Sequence, residues 1–199
     1  MRTTSRDEIR SIAEERDVRF LLHFTQIANL GGIVKHGLLP RRDLAGPEYF
    51  AYASDHYRLD ENDHAVSVSI SRVNEAMFAS KRRKSGHPNW AVLVLPAHIL
   101  WTHNCLFSWR NAATKEIKGH RGWRGGPWAF GKMFAGSNEA RSGLAPSCPT
   151  DPEAEVQVLD AVAAEYILGA VVNRPEMVEG VQAILNELPG GQRLVVNEN

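Results

Sequence analysis

The chain has 199 residues, of which 43% are hydrophobic and 23% are charged, and its formal net charge is zero. This length is typical of one compact domain, so we expect a single domain over residues 1–199. The composition is that of a soluble globular protein, and no apolar run approaches the roughly 20 residues that cross a bilayer. Residues 1–15 are charged where a signal peptide would be apolar, and the two cysteines form no close-spaced pair, so we expect a cytoplasmic protein.

The first half of the sequence contains alternating helix and strand signals. Ser5 and Glu8 have the spacing of a capping box and predict a first helix. Thr25 is placed to cap a second helix, whose apolar residues recur at helical spacing until Gly37 ends it. Periodicity and alternation predict helices over residues 6–15 and 73–83, and strands over residues 19–24, 65–70 and 90–95.

The second half is irregular before it becomes regular again. Residues 105–149 are rich in Gly, Trp, Arg, Ser and Pro, and long irregular segments within a compact domain are commonly functional. Asn173 and Glu176 repeat the capping-box spacing ahead of a late helix. The predicted elements are helices near residues 110–118, 127–135 and 174–188, and strands near 155–159, 166–172 and 193–196. The predicted fold class is α+β, with short strands in a mixed or antiparallel sheet and flanking helices.

The tripeptide His23-Phe24-Thr25 lies where a predicted strand meets a predicted helix. Alternation places His23 and Thr25 on one face, and the N–H groups at a helix start bind phosphate-bearing ligands. In the alternative interpretation, His23 is a hydrogen-bonded core histidine and Thr25 is only an N-cap. Spacing alone favours this second, structural interpretation.

A late predicted strand carries three polar residues on one face. Strand alternation groups Glu153, Glu155 and Gln157 and sends the apolar residues between them to the other face. A solvent-facing edge strand would have the same pattern, and the pattern alone favours it. At the mouth of a cleft, a carboxylate on such a strand would instead stabilise positive charge that develops on a sugar carbon.

The central third of the chain is basic. Residues 72–141 contain 12 Lys and Arg against 3 Asp and Glu, so one face can attract a polyanion although the net charge is zero. Lys and Arg neutralise phosphates, and tryptophan rings stack on unpaired bases. A solvated helix end explains the first basic run equally well. The candidates are Lys81, Arg82, Arg83, Lys84, Lys115, Lys118, Arg121, Trp123, Arg124, Trp128 and Lys132.

Four short motifs, in the same order along the chain, resemble those of the DarT family, bacterial toxins that ADP-ribosylate bases of single-stranded DNA. Residues 23–30, His-Phe-Thr-Gln-Ile-Ala-Asn-Leu, resemble the family's His-Phe-Thr motif and the Asn-Leu helix start that follows it. Residues 67–78 are similar to its strand-then-Met segment, residues 111–113 to its Asn-Ala-Ala motif, and residues 154–156 to its late Ala-Glu-Val strand. The resemblance covers residues 20–170.

The resemblance implies an ADP-ribosyltransferase-like fold, in which a split, bent sheet with flanking helices holds NAD+ in a cleft. It implies catalytic roles for Glu155 and Arg58. It further implies that His23, Thr25 and Asn29 bind NAD+ together with Arg58. The resemblance implies NAD+ as the co-substrate and a reaction that requires no metal. The sequence itself has neither a phosphate-binding glycine loop nor a paired-cysteine zinc motif.

Two assignments that the resemblance implies concern loops. Arg58 fills the place of the family's cleft arginine, with Arg41, Arg42 and Arg72 as alternatives. The segment 121–149 corresponds to the loop that selects the substrate. The residues expected to bind the substrate are Met77, Arg121, Trp123 and Arg124.

The expected function is that of a toxin that uses NAD+ to modify a base of single-stranded DNA and releases nicotinamide. The resemblance also implies a partner, a macrodomain antitoxin that removes the modification. One alternative keeps the fold and NAD+ but uses RNA or a protein as acceptor, since Glu153 and Glu155 also resemble the two-glutamate pattern of arginine-modifying relatives. The other is a non-catalytic nucleic-acid-binding module, in which His23 and Glu155 are structural.

Overall fold

In a computed structural model, which describes residues 4–44, 64–119 and 121–198, seven strands form one mixed sheet in the order β4-β5-β2-β1-β3-β6-β7. All neighbouring pairs are antiparallel except β6 and β7, which are parallel. The strands are β1 (Phe20–Gln26), β2 (Val66–Ile70), β3 (Trp90–Pro96), β4 (Cys105–Ser108), β5 (Glu155–Val158), β6 (Gly169–Val172) and β7 (Leu194–Asn197).

The sheet divides into two halves where β1 meets β2. These strands pair only through Leu21 with Ile70 and Leu22 with Ser69, whereas β1 pairs with β3 over its whole length of seven residues. Beyond Leu22 the ladder between the halves ends. Because β1 and β2 pair at only two positions, a cleft can form between them beyond Leu22.

Seven α-helices flank the sheet within the described residues: α1 (Ser5–Glu15), α2 (Leu30–His36), α3 (Glu75–Ser85), α4 (Ile99–Thr102), α5 (Lys115–Gly119), α6 (Pro127–Lys132) and α7 (Val178–Leu185). The described residues bury one contiguous apolar cluster, in which Leu21, Leu93, Phe107 and Val156 are fully buried. Helix α1 packs against α4 and α6, and α2 packs against α7. In the described segments, no helix has the length and apolarity that a membrane span requires.

The predicted capping residues are wrong at three helices, and each error has a physical reason. Thr4 and Asp7, rather than Ser5 and Glu8, form the capping box of α1, a shift of one residue. Thr25 lies within β1, because pairing with β3 continues the strand through Gln26, and a 3-10 helix at Ile27–Asn29 precedes α2.

The third wrong cap is Asn173. Its side chain accepts a hydrogen bond from the Trp90 backbone N–H at 2.9 Å and donates to the Pro88 carbonyl at 2.8 Å. These contacts between distant parts of the chain replace the predicted bond within the helix. The prediction that Gly37 ends α2 is confirmed, since Gly37 is its C-cap with φ of 80°.

Candidate active site

His23 bridges the gap between the two halves of the sheet. It lies on β1 one residue beyond the last pair with β2, and its ring Nδ1 is 2.9 Å from the Ser67 carbonyl oxygen on β2. Because a carbonyl oxygen only accepts, Nδ1 carries the proton in this contact, and Nε2 of a neutral ring is then an acceptor. His23 is half-buried, so it is neither a fully buried core residue nor a surface one.

Glu155 lies in the other half of the sheet, on the strand that pairs with β2. It is the first residue of β5, and β5 lies between β4 and β2. The alternative of a solvent-facing edge strand is therefore wrong. Gln157 pairs with Ser67, whose carbonyl contacts His23, so β2 connects the predicted histidine and glutamate.

The three polar residues of this strand have different surroundings. Gln157 is fully buried, and its Nε2 donates to Glu155 Oε1 at 3.1 Å. Glu153 is not on the strand: it precedes β5, is exposed, and accepts a long 3.5 Å hydrogen bond from Asn111 Nδ2. The predicted row of three acceptors is therefore a pair, and Glu155 is the carboxylate of that pair.

Thr25 and Asn29 lie together at the end of β1. Asn29 Nδ2 donates to Thr25 Oγ1 at 3.1 Å, and the Thr25 side chain is almost completely buried. They lie on the same strand and following turn as His23, so three of the predicted NAD+-binding residues are within one short stretch.

Arg58 lies outside the described residues. Of its alternatives, Arg42 bonds the neighbouring Asp43 and His64, and Arg72 Nη2 donates to the Pro149 carbonyl at 2.9 Å. Arg41 begins the 3-10 helix Arg41–Leu44. The assignment of Arg58 stays a prediction.

Three tryptophans, Trp109, Trp123 and Trp128, form a surface group that we call the tryptophan cluster. The rings of Trp109 and Trp128 are 5.4 Å apart and those of Trp123 and Trp128 are 6.4 Å apart, with both pairs nearly edge to face. Trp123 is 72% exposed and Trp128 is 48% exposed, and Lys132 Nζ lies 5.6 Å above the Trp128 ring. Trp109 directly follows β4, whose last residue pairs with Glu155, so the cluster begins one residue after the partner strand of Glu155.

Two other residues predicted to bind substrate lie on separate elements. Arg121 begins the 3-10 helix Arg121–Trp123, and Met77 lies half-buried in the first turn of α3. Arg124 differs from the sequence-based expectation of a surface contact. Its side chain is only 6% exposed, and Nη2 donates to Ser108 Oγ at 2.6 Å and to Gln157 Oε1 at 2.7 Å. This position is suited to supporting β5 rather than to touching DNA.

Cys105, on β4, does not fit a nucleophilic role. Burial raises the pKa of its thiol to about 12, so the thiolate that would react is scarce near neutral pH. Among the described residues, no group of three His, Cys, Asp or Glu side chains is arranged to hold a metal ion.

The sequence over residues 22–199 matches the family described as DarT, single-stranded-DNA thymidine ADP-ribosyltransferase. The chain belongs to the DarT family. No curated protein matches it significantly. The family match confirms the predicted enzyme class, an NAD+-dependent ADP-ribosyltransferase of single-stranded DNA.

Solved DarT structures share the fold at low sequence identity. The chain is 16% identical to Thermus sp. 2.9 DarT in complex with ADP-ribosylated single-stranded DNA, with a TM-score of 0.58 over 92% of this chain and 95% of that one. The complex of the same protein with NAD+ gives 17% identity and a TM-score of 0.55, over 90% and 94%. These similarities confirm the predicted fold class.

A third similar structure is Thermosipho africanus DarTG in complex with ADP-ribose. The chain is 14% identical to it, with a TM-score of 0.54 over 90% of this chain. The chain spans about half of that relative, 49% of its length.

Sequence reasoning missed the supporting residues Ser67 and Ser108. Each contributes through β2 or β4, and nothing in its local sequence indicates a partner far away in the chain. The available signal was strand alternation, which places Glu155 and Gln157 on one face of β5. It does not identify Arg124 as the partner of Gln157.

Proposed function

We propose that residues 1–199 form a single DarT domain that transfers ADP-ribose from NAD+ to thymidine in single-stranded DNA, with Glu155 as the catalytic carboxylate. One observation carries the role of Glu155: it lies on an internal strand that pairs with β2, the strand bordering the split, and its Oε1 accepts a hydrogen bond from buried Gln157. A half-buried carboxylate held in this way is preorganised to act on charge that develops beside it.

NAD+ is suited to the polar groups that flank the split in the sheet. The Nε2 acceptor of neutral His23 suits a ribose hydroxyl, and Thr25 with Asn29 supplies hydroxyl and amide groups for the adenosine side. Arg58 is assigned to the pyrophosphate or to the reacting base, because a guanidinium pairs well with phosphate oxygens.

The reaction breaks the bond between the ribose C1′ and the nicotinamide nitrogen and forms a bond from C1′ to the thymine base. Nicotinamide leaves with the bonding electron pair, so positive charge develops on the ribose. Glu155 stabilises this charge, accepts a hydrogen bond from the ribose 2′-hydroxyl and takes the proton from the attacking base atom. The enzyme's main task is orientation, because the leaving group is already activated.

The tryptophan cluster is assigned to the DNA. Exposed Trp123 and Trp128 supply ring faces for bases next to the modified one, and Lys132 supplies charge near the backbone. Arg121 and Met77 are the other proposed contacts. A segment that carries exposed tryptophans and follows β4, the strand paired with that of Glu155, supports an unpaired nucleic-acid acceptor over an arginine side chain.

We also propose a macrodomain antitoxin as the partner that removes the modification. The existence of the longer Thermosipho africanus DarTG, of which this chain covers 49%, supports a second component. Release of ADP-ribose from modified DNA by a purified macrodomain protein would test this assignment.

Labelled NAD+ incubated with separate pools of single-stranded DNA, duplex DNA, RNA and protein tests the acceptor. Label is expected only in single-stranded DNA, and among homopolymers only in oligo-dT. Label in RNA or protein would overturn the DNA assignment, and label in oligo-dA, oligo-dC or oligo-dG would overturn thymidine.

A further inference from the structure

A buried chain of hydrogen bonds connects Arg124 to Glu155. The Arg124 Nη2 donates to Gln157 Oε1 at 2.7 Å, and Gln157 Nε2 donates to Glu155 Oε1 at 3.1 Å. The same Nη2 donates to Ser108 Oγ at 2.6 Å. Ser108 and Gln157 are fully buried, so water does not compete for these bonds.

The guanidinium determines which way the Gln157 amide faces. Arginine has only donors, so the amide atom that meets Arg124 must be the oxygen. The NH2 group of Gln157 is then turned toward Glu155, where it donates to the carboxylate. Without Arg124, the two orientations of the amide would differ less in energy, and one of them would place an oxygen against Glu155.

The backbone of Arg124 is hydrogen-bonded to β4, the strand next to β5. Its carbonyl accepts from the Phe107 N–H at 2.9 Å, on β4, and Phe107 pairs with Val156 on β5. The side chain therefore reaches β5 from a backbone that is itself fixed to β4. Ser108, the second acceptor of the guanidinium, pairs with Glu155.

Burial of a guanidinium is costly unless the charge is well hydrogen-bonded. The printed distances connect the guanidinium to Ser108 and Gln157, and from Gln157 the chain of bonds continues to the Glu155 carboxylate. A neutral apolar side chain would fill the same space at lower cost. A function that uses the hydrogen bonds of the Arg124 guanidinium, such as orienting the Glu155 carboxylate, would account for its burial.

We propose that Arg124 is a positioning residue for ADP-ribose transfer, which acts through Gln157 to hold the Glu155 carboxylate in its reactive geometry. This inference rests on the proposed catalytic role of Glu155. It assigns Arg124 a function inside the protein, distinct from the DNA contact that its place in a basic loop indicates.

Three variants, Arg124→Met, Arg124→Ala and Gln157→Glu, test the proposal, with Arg193→Met as a matched control. Arg193 also makes several hydrogen bonds, to the Ile167, Gly191 and Pro189 carbonyls, but it precedes β7 at the opposite edge of the sheet. We measure kcat and KM for NAD+ with oligo-dT, and Tm for each protein.

Arg124→Met is expected to lower kcat by roughly 10- to 100-fold with little change in KM for NAD+, since small errors in geometry have effects of this size. Gln157→Glu keeps an acceptor for Arg124 but places a carboxylate against Glu155, so it is expected to lower kcat at least as much. Guanidinium chloride, well below unfolding concentrations, is expected to restore part of the rate of an Arg124→Ala variant. The control is expected to lower Tm and leave kcat unchanged.

Wild-type kcat in Gln157→Glu would overturn the proposal, whether or not Arg124→Met folds. A loss of kcat in Arg193→Met as large as in Arg124→Met would overturn it as well, because general destabilisation would then explain both. These failures are distinct from failure of the proposed function, which would appear as full transfer activity in a Glu155→Gln variant.

Discussion

Trp123→Ala separates DNA binding from folding, because the exposed side chain contributes little to stability. With 72% of Trp123 exposed, only about a quarter of its surface is buried, on the order of 60 Å² for a large aromatic side chain. At about 25 cal/mol per Å² this burial is worth at most about 1.5 kcal/mol of unfolding free energy. The variant should therefore fold and keep a Tm close to that of the wild type.

Its effect on DNA binding is expected to be larger. Stacking of one base on an aromatic ring contributes roughly 1–3 kcal/mol, so loss of the ring should weaken oligo-dT binding by about 5- to 150-fold. Fluorescence anisotropy with a labelled oligonucleotide measures the Kd, and thermal unfolding measures the Tm.

A matched control is Leu194→Ala. Leu194 is 71% exposed on β7, at the edge of the sheet opposite the β4 edge next to which the tryptophan cluster lies. It should bind oligo-dT with wild-type affinity. Equal Kd values for wild type, Trp123→Ala and Leu194→Ala would refute the assignment of the tryptophan cluster to DNA.

Three further predictions use other parts of the molecule. In the native protein near neutral pH, iodoacetamide should modify Cys148 but not Cys105, because burial raises the pKa of the Cys105 thiol to about 12. Peptide mass spectrometry should show that Cys105 reacts only after unfolding. Rapid labelling of Cys105 in the native protein would contradict its burial. Asp160 accepts from the Asn104 backbone N–H, which lowers the pKa of this carboxyl in the folded state, so its stabilisation is present at neutral pH and is lost as the pH falls below about 4. Asp160→Asn should then lower the urea midpoint more at pH 7 than at pH 3. An equal effect at both pH values would exclude the charge as the cause. His23→Ala should weaken NAD+ binding by about tenfold, which corresponds to the free energy of roughly one hydrogen bond. Calorimetry measures the Kd. An unchanged Kd would remove His23 from the NAD+ site.

Local sequence signals predicted much of the sheet. Most strands were predicted to within a few residues because alternation and β-branched residues report directly on a half-buried strand, as in β2 and β3. The family motifs assign His23 and Glu155 to the site, and this assignment stays a prediction. His23 lies beside the split in the sheet, and Glu155 lies on β5, the strand next to β2. Strand β2 lies between them: the Ser67 carbonyl of β2 contacts the His23 ring, and β2 pairs with β5, which carries Glu155.

The remaining features depend on partners far along the chain. β4 has four residues within a segment rich in glycine and tryptophan, and its identity as a strand comes from pairing with β5 some 50 residues later. Arg124 lies in a segment rich in glycine and basic residues, yet its side chain is buried and hydrogen-bonds Ser108 and Gln157. Local composition therefore predicts an exposed arginine at this position, whereas hydrogen bonds to residues far along the chain stabilise a buried one.

The most direct test of the account is transfer of label from NAD+ to oligo-dT by a Glu155→Gln variant. The substitution keeps an oxygen that can accept from Gln157 Nε2, so the variant should unfold at nearly the wild-type Tm while its carboxylate chemistry is lost. We predict no detectable transfer and retained oligo-dT binding. Transfer at the wild-type rate by a folded Glu155→Gln protein would contradict the central claim that this carboxylate carries the reaction.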